Sequence, residues 1–456
     1  MTSQTSHSKA NLISGVIAAL IAGSTYAQQP PDVVPSDGGG NTAMGADALL
    51  LLHAPNCSAN TACENIAAGV GALYANSTGS YNEAYGFQSL NNNLTGGYNA
   101  AYGYRSLHKN TTGNSNTAMG TNALYTNQVG ISNTATGSGA LYSNLGSYNT
   151  ATGYNALYGN STGTQNSAFG LGALSQGLAG SYNTAVGSEA LLWNNGGNYN
   201  TATGMQALSA NVTGTDNTAS GNQALLSNKT GDANAAFGSN ALQANVSGGA
   251  NVAFGQSALL KNTTGYSNIA IGELAGSDTT GSNNIDIGSE GAAGESGIVR
   301  IGTPGTHTHV YIAGIESAKL TGNAVYVTSK GELGVLASAE RYKFKIEPMG
   351  SNTEKLQQLH PVTFHLKNDP NGAVQYGLIA EQVDKVYPEL VIRDEAGAIQ
   401  GVRYDELAPM LLNEVQQQKS QLREMQQQVA ELKKQNDAIQ VALAKVLEKD
   451  EHLAMR

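Results

Sequence analysis

The sequence predicts a mainly β protein: a parallel β-roll of about fifteen 17-residue repeats, a β neck, and a mixed α/β domain that ends in a coiled coil. The 456 residues include 56 Gly and only 12% charged residues, whereas soluble proteins average about 7% Gly and about 25% charged residues. A 17-residue period fills residues 41–292, and charged, helix-forming residues return after about residue 337. This composition excludes an ordinary globular enzyme over most of the length.

The amino terminus has the pattern of a secretory signal peptide, residues 1–27. Lys9 precedes an apolar run at residues 12–21, and small residues follow up to Ala27. The run is shorter than the roughly 20 apolar residues that a transmembrane helix needs, and no later run reaches that length. We therefore expect an exported chain, extracellular or on a bacterial cell surface, without a transmembrane helix and with residues 28–40 as a linker.

The net charge limits the kinds of partner to expect, and the two cysteines indicate a disulfide. The formal net charge is −10, so no basic surface is expected and nucleic acid is excluded as a partner. Cys57 and Cys63 lie six residues apart, and in an oxidising compartment we expect them to form a local disulfide. A metal site at these cysteines would need another ligand, and only His53 is near, so the structural disulfide is the preferred interpretation.

One Gly defines the repeat. Asn stands four residues before it in all fifteen copies, Ala stands two before it in fourteen, and Leu stands four after it in the first thirteen. Eight N-x-S/T sequences share one phase, ten residues before that Gly, which favours a turn role over glycosylation. The Gly positions are 45, 69, 86, 103, 120, 137, 153, 170, 187, 204, 221, 238, 255, 272 and 288.

A single copy of this repeat is too small to bury a core, so the copies must stack. Short strands separated by Asn/Gly turns predict a two-strand coil of a β-roll or β-helix. Stacked identical Asn side chains can form a hydrogen-bonded ladder, and the Ala and Leu columns supply a thin interior. So thin a core predicts that chains associate, most simply with cyclic symmetry.

The repeat unit N-T-A-x-G-x-x-A-L, over residues 41–288, resembles the head repeat of trimeric autotransporter adhesins. The resemblance implies a trimeric left-handed parallel β-roll with a role in surface adhesion, and a host-surface glycan or matrix as a possible ligand. Those adhesins end in a membrane β-barrel anchor, whereas this chain ends in a charged helical segment.

Residues 293–336 predict a β neck, with strands at 298–301, 310–313 and 324–327. Within it, His307 and His309 would point the same way on a strand. In a trimer they would place six imidazoles around one axis, which is an arrangement suited to a transition metal. Two exposed histidines in a turn are the preferred interpretation, and no cofactor is expected.

Residues 337–406 contain the segments that carry chemistry. The stretch from Ser338 to Lys343 and the segments 359–364, 376–381, 387–390 and 401–407 resemble, in this order, the intramolecular-chaperone domain of phage endosialidases and tail spikes. That family is classed among self-cleaving serine peptidases, and the resemblance extends to about residue 418. It implies cleavage of the Ala337–Ser338 bond, with Ser338 as nucleophile, Lys343 as general base and Arg341 as a motif residue. Ala339 replaces the usual Asp or Ser.

The serine–lysine chemistry is consistent with these residue types. A serine hydroxyl needs a neighbouring base, and a lysine amine serves where burial lowers its pKa. The alternative is that Ser338 caps a helix and Lys343 is a solvated surface charge. His360 and Glu381 are candidates for supporting groups, although ordinary packing is the preferred interpretation for both.

Residues 407–450 predict a coiled coil, because apolar residues recur with a heptad period over five heptads. The heptad alone leaves two or three strands open, and the two resemblances favour three. The a positions are Val415, Leu422, Val429, Asn436 and Leu443, and the d positions are Leu411, Gln418, Met425, Leu432, Ile439 and Val446.

Taken together, these features predict an exported homotrimeric fibre or adhesin-like surface protein. Its one expected enzymatic activity is a single-turnover self-cleavage, with no action on external substrates. A phage-derived receptor-binding fibre and a glycan-acting enzyme on a fibre scaffold remain alternatives. The repeat has few carboxylates and no acid/base pair of the glycosidase type, which counts against the enzyme.

Overall fold

The structure is a computed structural model that describes residues 33–34, 39–51, 62–313, 324–328, 331–367, 369–394 and 396–454. It divides into two units, residues 1–310 and 311–456, which are described separately. The expected signal peptide, residues 1–27, and most of the linker, residues 28–40, lie outside the described residues. Among the helices described, none combines the length and the hydropathy needed to cross a membrane.

The first unit is a parallel β-solenoid, as the repeat predicts. Each turn adds one short strand in strict register to its predecessor, and a two-residue strand pairs antiparallel with the first of them. The strands are Val33–Val34, Thr42–Met44, Ile66–Ala68, Glu83–Tyr85, Ala100–Tyr102, Thr117–Met119, Thr134–Thr136, Thr150–Thr152, Ser167–Phe169, Thr184–Val186, Thr201–Thr203, Thr218–Ser220, Ala235–Phe237, Val252–Phe254, Ile269–Ile271, Ile285–Ile287 and Val299–Ile301.

The solenoid has a thin apolar interior. The central residue of each strand points inward, and from Ala67 to Ala270 it is fully buried Ala. On the opposite side of the turn, a column of Leu residues such as Leu107 and Leu124 is equally buried. Because Ala is small, the strand side and the Leu side can lie close together along these turns.

The Leu side of the turn differs from the two-strand coil expected from the sequence. Its residues stack through backbone hydrogen bonds, as from Leu107 N–H to the Ala123 carbonyl at 2.9 Å. However, Arg105 and Leu107 have φ values of 52° and 49°, so the backbone alternates into the left-handed region instead of forming a strand. Each turn therefore carries one strand and one tightly curved, stacked side.

Two columns of buried Asn fill the remaining interior. In the first, the backbone N–H and the side-chain amide of Asn99 both donate to Asn82 Oδ1, each at 3.1 Å. In the second, the Asn110 amide donates to Asn93 Oδ1 at 2.7 Å. Both columns also donate to one glycine carbonyl, at Gly113 in this turn. The Asn ladder is thus as expected, and a second ladder accompanies it.

The last turns of the solenoid replace apolar groups by polar ones. Asp286 occupies the Ala position and is 2% exposed, and its carboxylate accepts a hydrogen bond from Thr279 Oγ1 at 2.8 Å. The next strand, Val299–Ile301, pairs with Ile285–Ile287, although it lies within the range assigned to the neck. Arg300 is placed opposite Asp286 and forms an ion pair with Glu295.

The second unit begins with the rest of the neck. Strand Tyr326–Val327 forms an antiparallel pair with Leu333–Gly334, which accords with the strand expected at 324–327. Residues 310–313 are described and contain no strand, in contrast to the expectation. The two strands described in this segment pair with each other.

The C-terminal domain is a small mixed α/β structure. Its core contains Val383, Tyr387, Leu390, Val391 and Val402. Antiparallel pairs are formed by Val362–Phe364 with Gln375–Gly377 and by Val391–Arg393 with Ile399–Val402. The helices are the 3-10 helices Glu340–Tyr342, Gly350–Gln358 and Pro388–Leu390, the short α-helix Ala380–Val383, and the long terminal helix Tyr404–Ala454.

Candidate functional site

The candidate site is built on one short turn at the start of the C-terminal domain. Ala339 is extended, with φ −67° and ψ 146°, and the 3-10 helix Glu340–Tyr342 follows it. Tyr342 N–H donates to the Ala339 carbonyl at 3.0 Å, and Lys343 N–H donates to the Glu340 carbonyl at 2.9 Å. This turn reverses the chain enough to bring the side chain of residue 343 back to residue 338.

The turn places Ser338 and Lys343 in direct contact. Lys343 Nζ donates a hydrogen bond to Ser338 Oγ over 3.4 Å, and both residues are exposed. This is a loose version of the nucleophile–base contact, which is often long before the reacting geometry forms. A neutral lysine amine at this position could accept the serine proton, whereas an ammonium group can only donate.

The remaining motif residue lies beside the pair. The Arg341 guanidinium stacks over the Tyr342 ring, 4.8 Å from its centre. An open groove runs along Glu340, Arg341, Lys343, Phe344, Lys345 and Ile346. Apolar side chains around it are strongly exposed, with 84% of Phe344 and 64% of Ile346 accessible. In the single chain, therefore, nothing excludes water from the serine–lysine pair among the residues described.

The other sequence-predicted groups lie elsewhere. His360 and Glu381 are exposed. His307 Nδ1 accepts the Thr303 N–H at 2.9 Å, and His309 Nδ1 contacts the Thr308 hydroxyl at 2.9 Å. Within the described parts of the chain, no group of three or more potential metal ligands comes together. The trimeric histidine site therefore remains a prediction.

The structure describes only one of the two cysteines of the predicted disulfide. Cys57 lies outside the described residues, so its bond to Cys63 stays a prediction. Cys63 is buried, with 4% of its surface accessible, and its N–H donates to Ser80 Oγ at 3.0 Å.

Sequence reasoning missed a buried polar cluster that joins the terminal helix to the domain. Glu414 is 9% exposed and accepts hydrogen bonds from Thr353 Oγ1 at 3.2 Å and from the Gln357 amide at 3.3 Å. Asn413 donates to Thr353 Oγ1 at 2.7 Å. Such a network fixes the first turns of the helix to the 3-10 helix Gly350–Gln358. The heptad pattern places neither Asn413 nor Glu414 at an a or d position, so no sequence signal identified these two residues.

The comparisons with known proteins bear on this domain. Residues 338–392 match the family model Peptidase_S74, described as chaperone of endosialidase. The match begins at Ser338 itself and supports the expected chaperone domain. It indicates a chaperone and trimerisation role on a fibre protein. Comparisons with curated proteins and with solved structures each gave no match.

Proposed function

We propose that this chain is an exported, homotrimeric, adhesin-like fibre protein whose C-terminal domain directs trimerisation and then cleaves itself off between Ala337 and Ser338. The observation that carries the proposal is the contact between Lys343 Nζ and Ser338 Oγ at the first residue of the chaperone match. The β-solenoid is the shaft that this domain assembles.

The terminal helix supports the self-association. Its a and d side chains are exposed in the single chain, with Ile439 at 65% and Leu432 at 63%. A helix of 51 residues with an unpaired apolar seam is stable in water when the seam packs against partner helices. Three copies in register would bring three identical shafts side by side.

The cleavage step follows from the serine–lysine contact. The neutral Lys343 amine takes the proton from Ser338 Oγ, and the oxygen attacks the Ala337 carbonyl carbon. The Oγ–C bond forms, the C–N bond to Ser338 breaks, and the Lys343 ammonium group returns the proton to the leaving amine of Ser338. Water then hydrolyses the ester, which leaves the Ala337 carboxylate and a fragment that begins at Ser338. The scissile bond is in the same chain, so folding alone supplies proximity.

The shaft is assigned to adhesion or display at the cell surface. Its repeats give length and multivalency, and its outer face carries stacked aromatic columns, such as Tyr125 and Tyr142 with ring centres 5.0 Å apart. Stacked rings expose their edges and cover each other's faces, so these columns stiffen the shaft. A host-surface glycan or matrix is the proposed ligand class, and a binding array with the purified shaft tests it.

The self-cleavage is tested by mass spectrometry of the purified full-length chain. We expect a C-terminal fragment that begins at Ser338, and we expect Ser338→Ala and Lys343→Met to remain intact. Lys345→Met is the matched control, because Lys345 lines the same groove but has no assigned role. An intact wild-type chain, or a Lys343→Met variant that is cut as well as the control, would contradict the proposed mechanism.

A further inference from the structure

The outward face of the last five strands of the solenoid is apolar throughout. These strands are Ala235–Phe237, Val252–Phe254, Ile269–Ile271, Ile285–Ile287 and Val299–Ile301. Their first and third residues point away from the core, and all ten are Ala, Val, Ile or Phe. Eight of the ten are large and 37–63% exposed: Phe237, Val252, Phe254, Ile269, Ile271, Ile287, Val299 and Ile301. We call this surface the apolar strand face.

In several strands in the middle of the shaft both of these positions are polar, whereas other strands there carry one polar and one apolar residue, such as Thr184 and Val186. Strands Thr134–Thr136, Thr150–Thr152 and Thr201–Thr203 share the backbone geometry and the buried central Ala, but they present Thr on both outward positions. A sheet face in contact with water carries polar residues in this way. The change from Thr to Ile, Val and Phe is therefore a property of the surface and not a requirement of the solenoid.

The other side of the same turns is solvated. Lys261 and Asp278 form an exposed ion pair at 2.7 Å there, whereas the apolar strand face has no charged residue. With strands spaced about 4.8 Å apart, five strands give a flat strip roughly 20 Å long. A contiguous apolar surface of several hundred Å² is characteristic of a surface that binds another macromolecule.

We propose that the apolar strand face is buried against the equivalent faces of two other copies of this chain, and that these five turns form the tight part of the shaft interface. This inference rests on the proposed trimer. A second copy is the occupant because the exposed heptad seam of the terminal helix independently calls for partner chains. Copies held in register at the C-terminal domain bring identical turns to the same level. An uncharged face can pack against itself without juxtaposing like charges.

The test compares single cysteines at matched positions in the full-length chain. Ile271→Cys lies on the apolar strand face, and Thr203→Cys is the same outward position in a polar strand. Sedimentation first establishes the mass, and maleimide labelling is then followed, with labelling of the unsubstituted chain subtracted. We expect Ile271→Cys to react at least about tenfold more slowly than Thr203→Cys in the trimer, because access limits thiol reactivity.

A further variant separates the possible failures. Adding Ile439→Asn, which disrupts the helix seam, and diluting until sedimentation shows monomers should give two cysteines that react at the same rate. Equal labelling in a preparation with trimer mass would overturn the interface and leave the trimer standing. Monomer mass without Ile439→Asn would instead contradict the proposed function. Slow labelling of Ile271→Cys that persists in the monomer would show that the chain's own residues cover the face, which also overturns the proposal.

Discussion

Asn183 and Asn166 are joined twice across neighbouring turns: the backbone N–H and the side-chain amide of Asn183 both donate to Asn166 Oδ1, at 3.0 and 3.1 Å. The same amide donates to the Gly197 carbonyl at 3.0 Å. Each Asn therefore satisfies a backbone donor of one turn and a carbonyl of the next, so that a chain with few charges and a thin core has few unpaired polar groups inside.

Replacing one ladder residue should destabilise the shaft. In Asn183→Ala, the two donors of Asn200 lose their acceptor, and the Gly197 carbonyl keeps only the Asn194 amide of its two side-chain donors. An unsatisfied buried polar group costs roughly 1–3 kcal/mol, so we expect a clear drop in the thermal midpoint. Asn195→Ala, at an exposed position in the same turn, is the control and should change it little. Equal effects of the two substitutions would mean that the ladder does not stabilise the solenoid.

The stacked repeat glycines, which include Gly187 and Gly204, lead to a second prediction about stability. Gly187 has φ 134°, and a Cβ atom built there would lie 2.5 Å from the Gly204 carbonyl oxygen. Gly187→Ala should therefore cost at least about 2 kcal/mol, from both backbone strain and the clash. A Cβ atom at Gly196 meets no heavy atom within 4 Å, so Gly196→Ala should be tolerated. Urea unfolding of both variants measures the difference, and a tolerated Gly187→Ala would refute the close stacking.

The polar end of the solenoid predicts a pH dependence. Burial raises the pKa of the Asp286 carboxyl, and this outweighs the lowering effects of the Thr279 hydrogen bond and of Arg300. The folded state therefore keeps the proton to a higher pH than the unfolded chain, whose carboxyl titrates near pH 4. The stability that this group contributes is complete below that pH, and it is lost as the pH rises through the folded-state pKa.

Asp286→Asn should remove this dependence. We expect its thermal midpoint to exceed that of the wild type at about pH 8 and to match it at about pH 4, where Asp286 is protonated. Asp216→Asn, at an exposed position of the shaft, serves as the control and should parallel the wild type at both values. If instead the wild type gains stability relative to Asp286→Asn as the pH rises from about 4 to about 8, the carboxylate is stabilised in its charged form.

Two neighbouring apolar residues of the terminal helix can show whether self-association depends on the heptad seam or on any exposed apolar side chain. Ile439 lies at a d position, whereas Val441 lies outside the seam, and both are exposed in the single chain, at 65% and 56%. Ile439→Asn should weaken self-association at least about tenfold, or 1.4 kcal/mol, and Val441→Asn should leave it unchanged. Dilution series followed by light scattering measure this, and similar losses in both variants would argue against the heptad register.

Much of the shaft could be predicted, because a strict period stacks each residue on the equivalent residue of the next turn. The Asn column at Asn82 and Asn99 and the inward Ala follow directly from it. The second column, which includes Asn93 and Asn110, had a visible signal, since the in-phase N-x-S/T sequences mark it. The positive φ of Leu107 had none, because burial of the side chain outweighs a backbone preference that disfavours Leu there.

In the candidate site, too, the sequence predicts some features and leaves others to be seen only in the structure. The spacing of Ser338 and Lys343, with the resemblance of the segments that follow, predicts both as site residues, and the 3-10 helix between them accounts for their contact. The contribution of Thr353 and Glu414 depends on how a distant segment docks onto the terminal helix. No local period or spacing encodes that docking, so it became visible only in the folded chain.

In the proposed function, the C-terminal domain assembles three copies of the chain. Sedimentation equilibrium of the full-length Ser338→Ala variant, in which the domain stays attached, tests it most directly. We expect a particle with three times the mass that the same chain shows under denaturing conditions, over a wide range of concentrations. A monomer or a dimer under these conditions would contradict it.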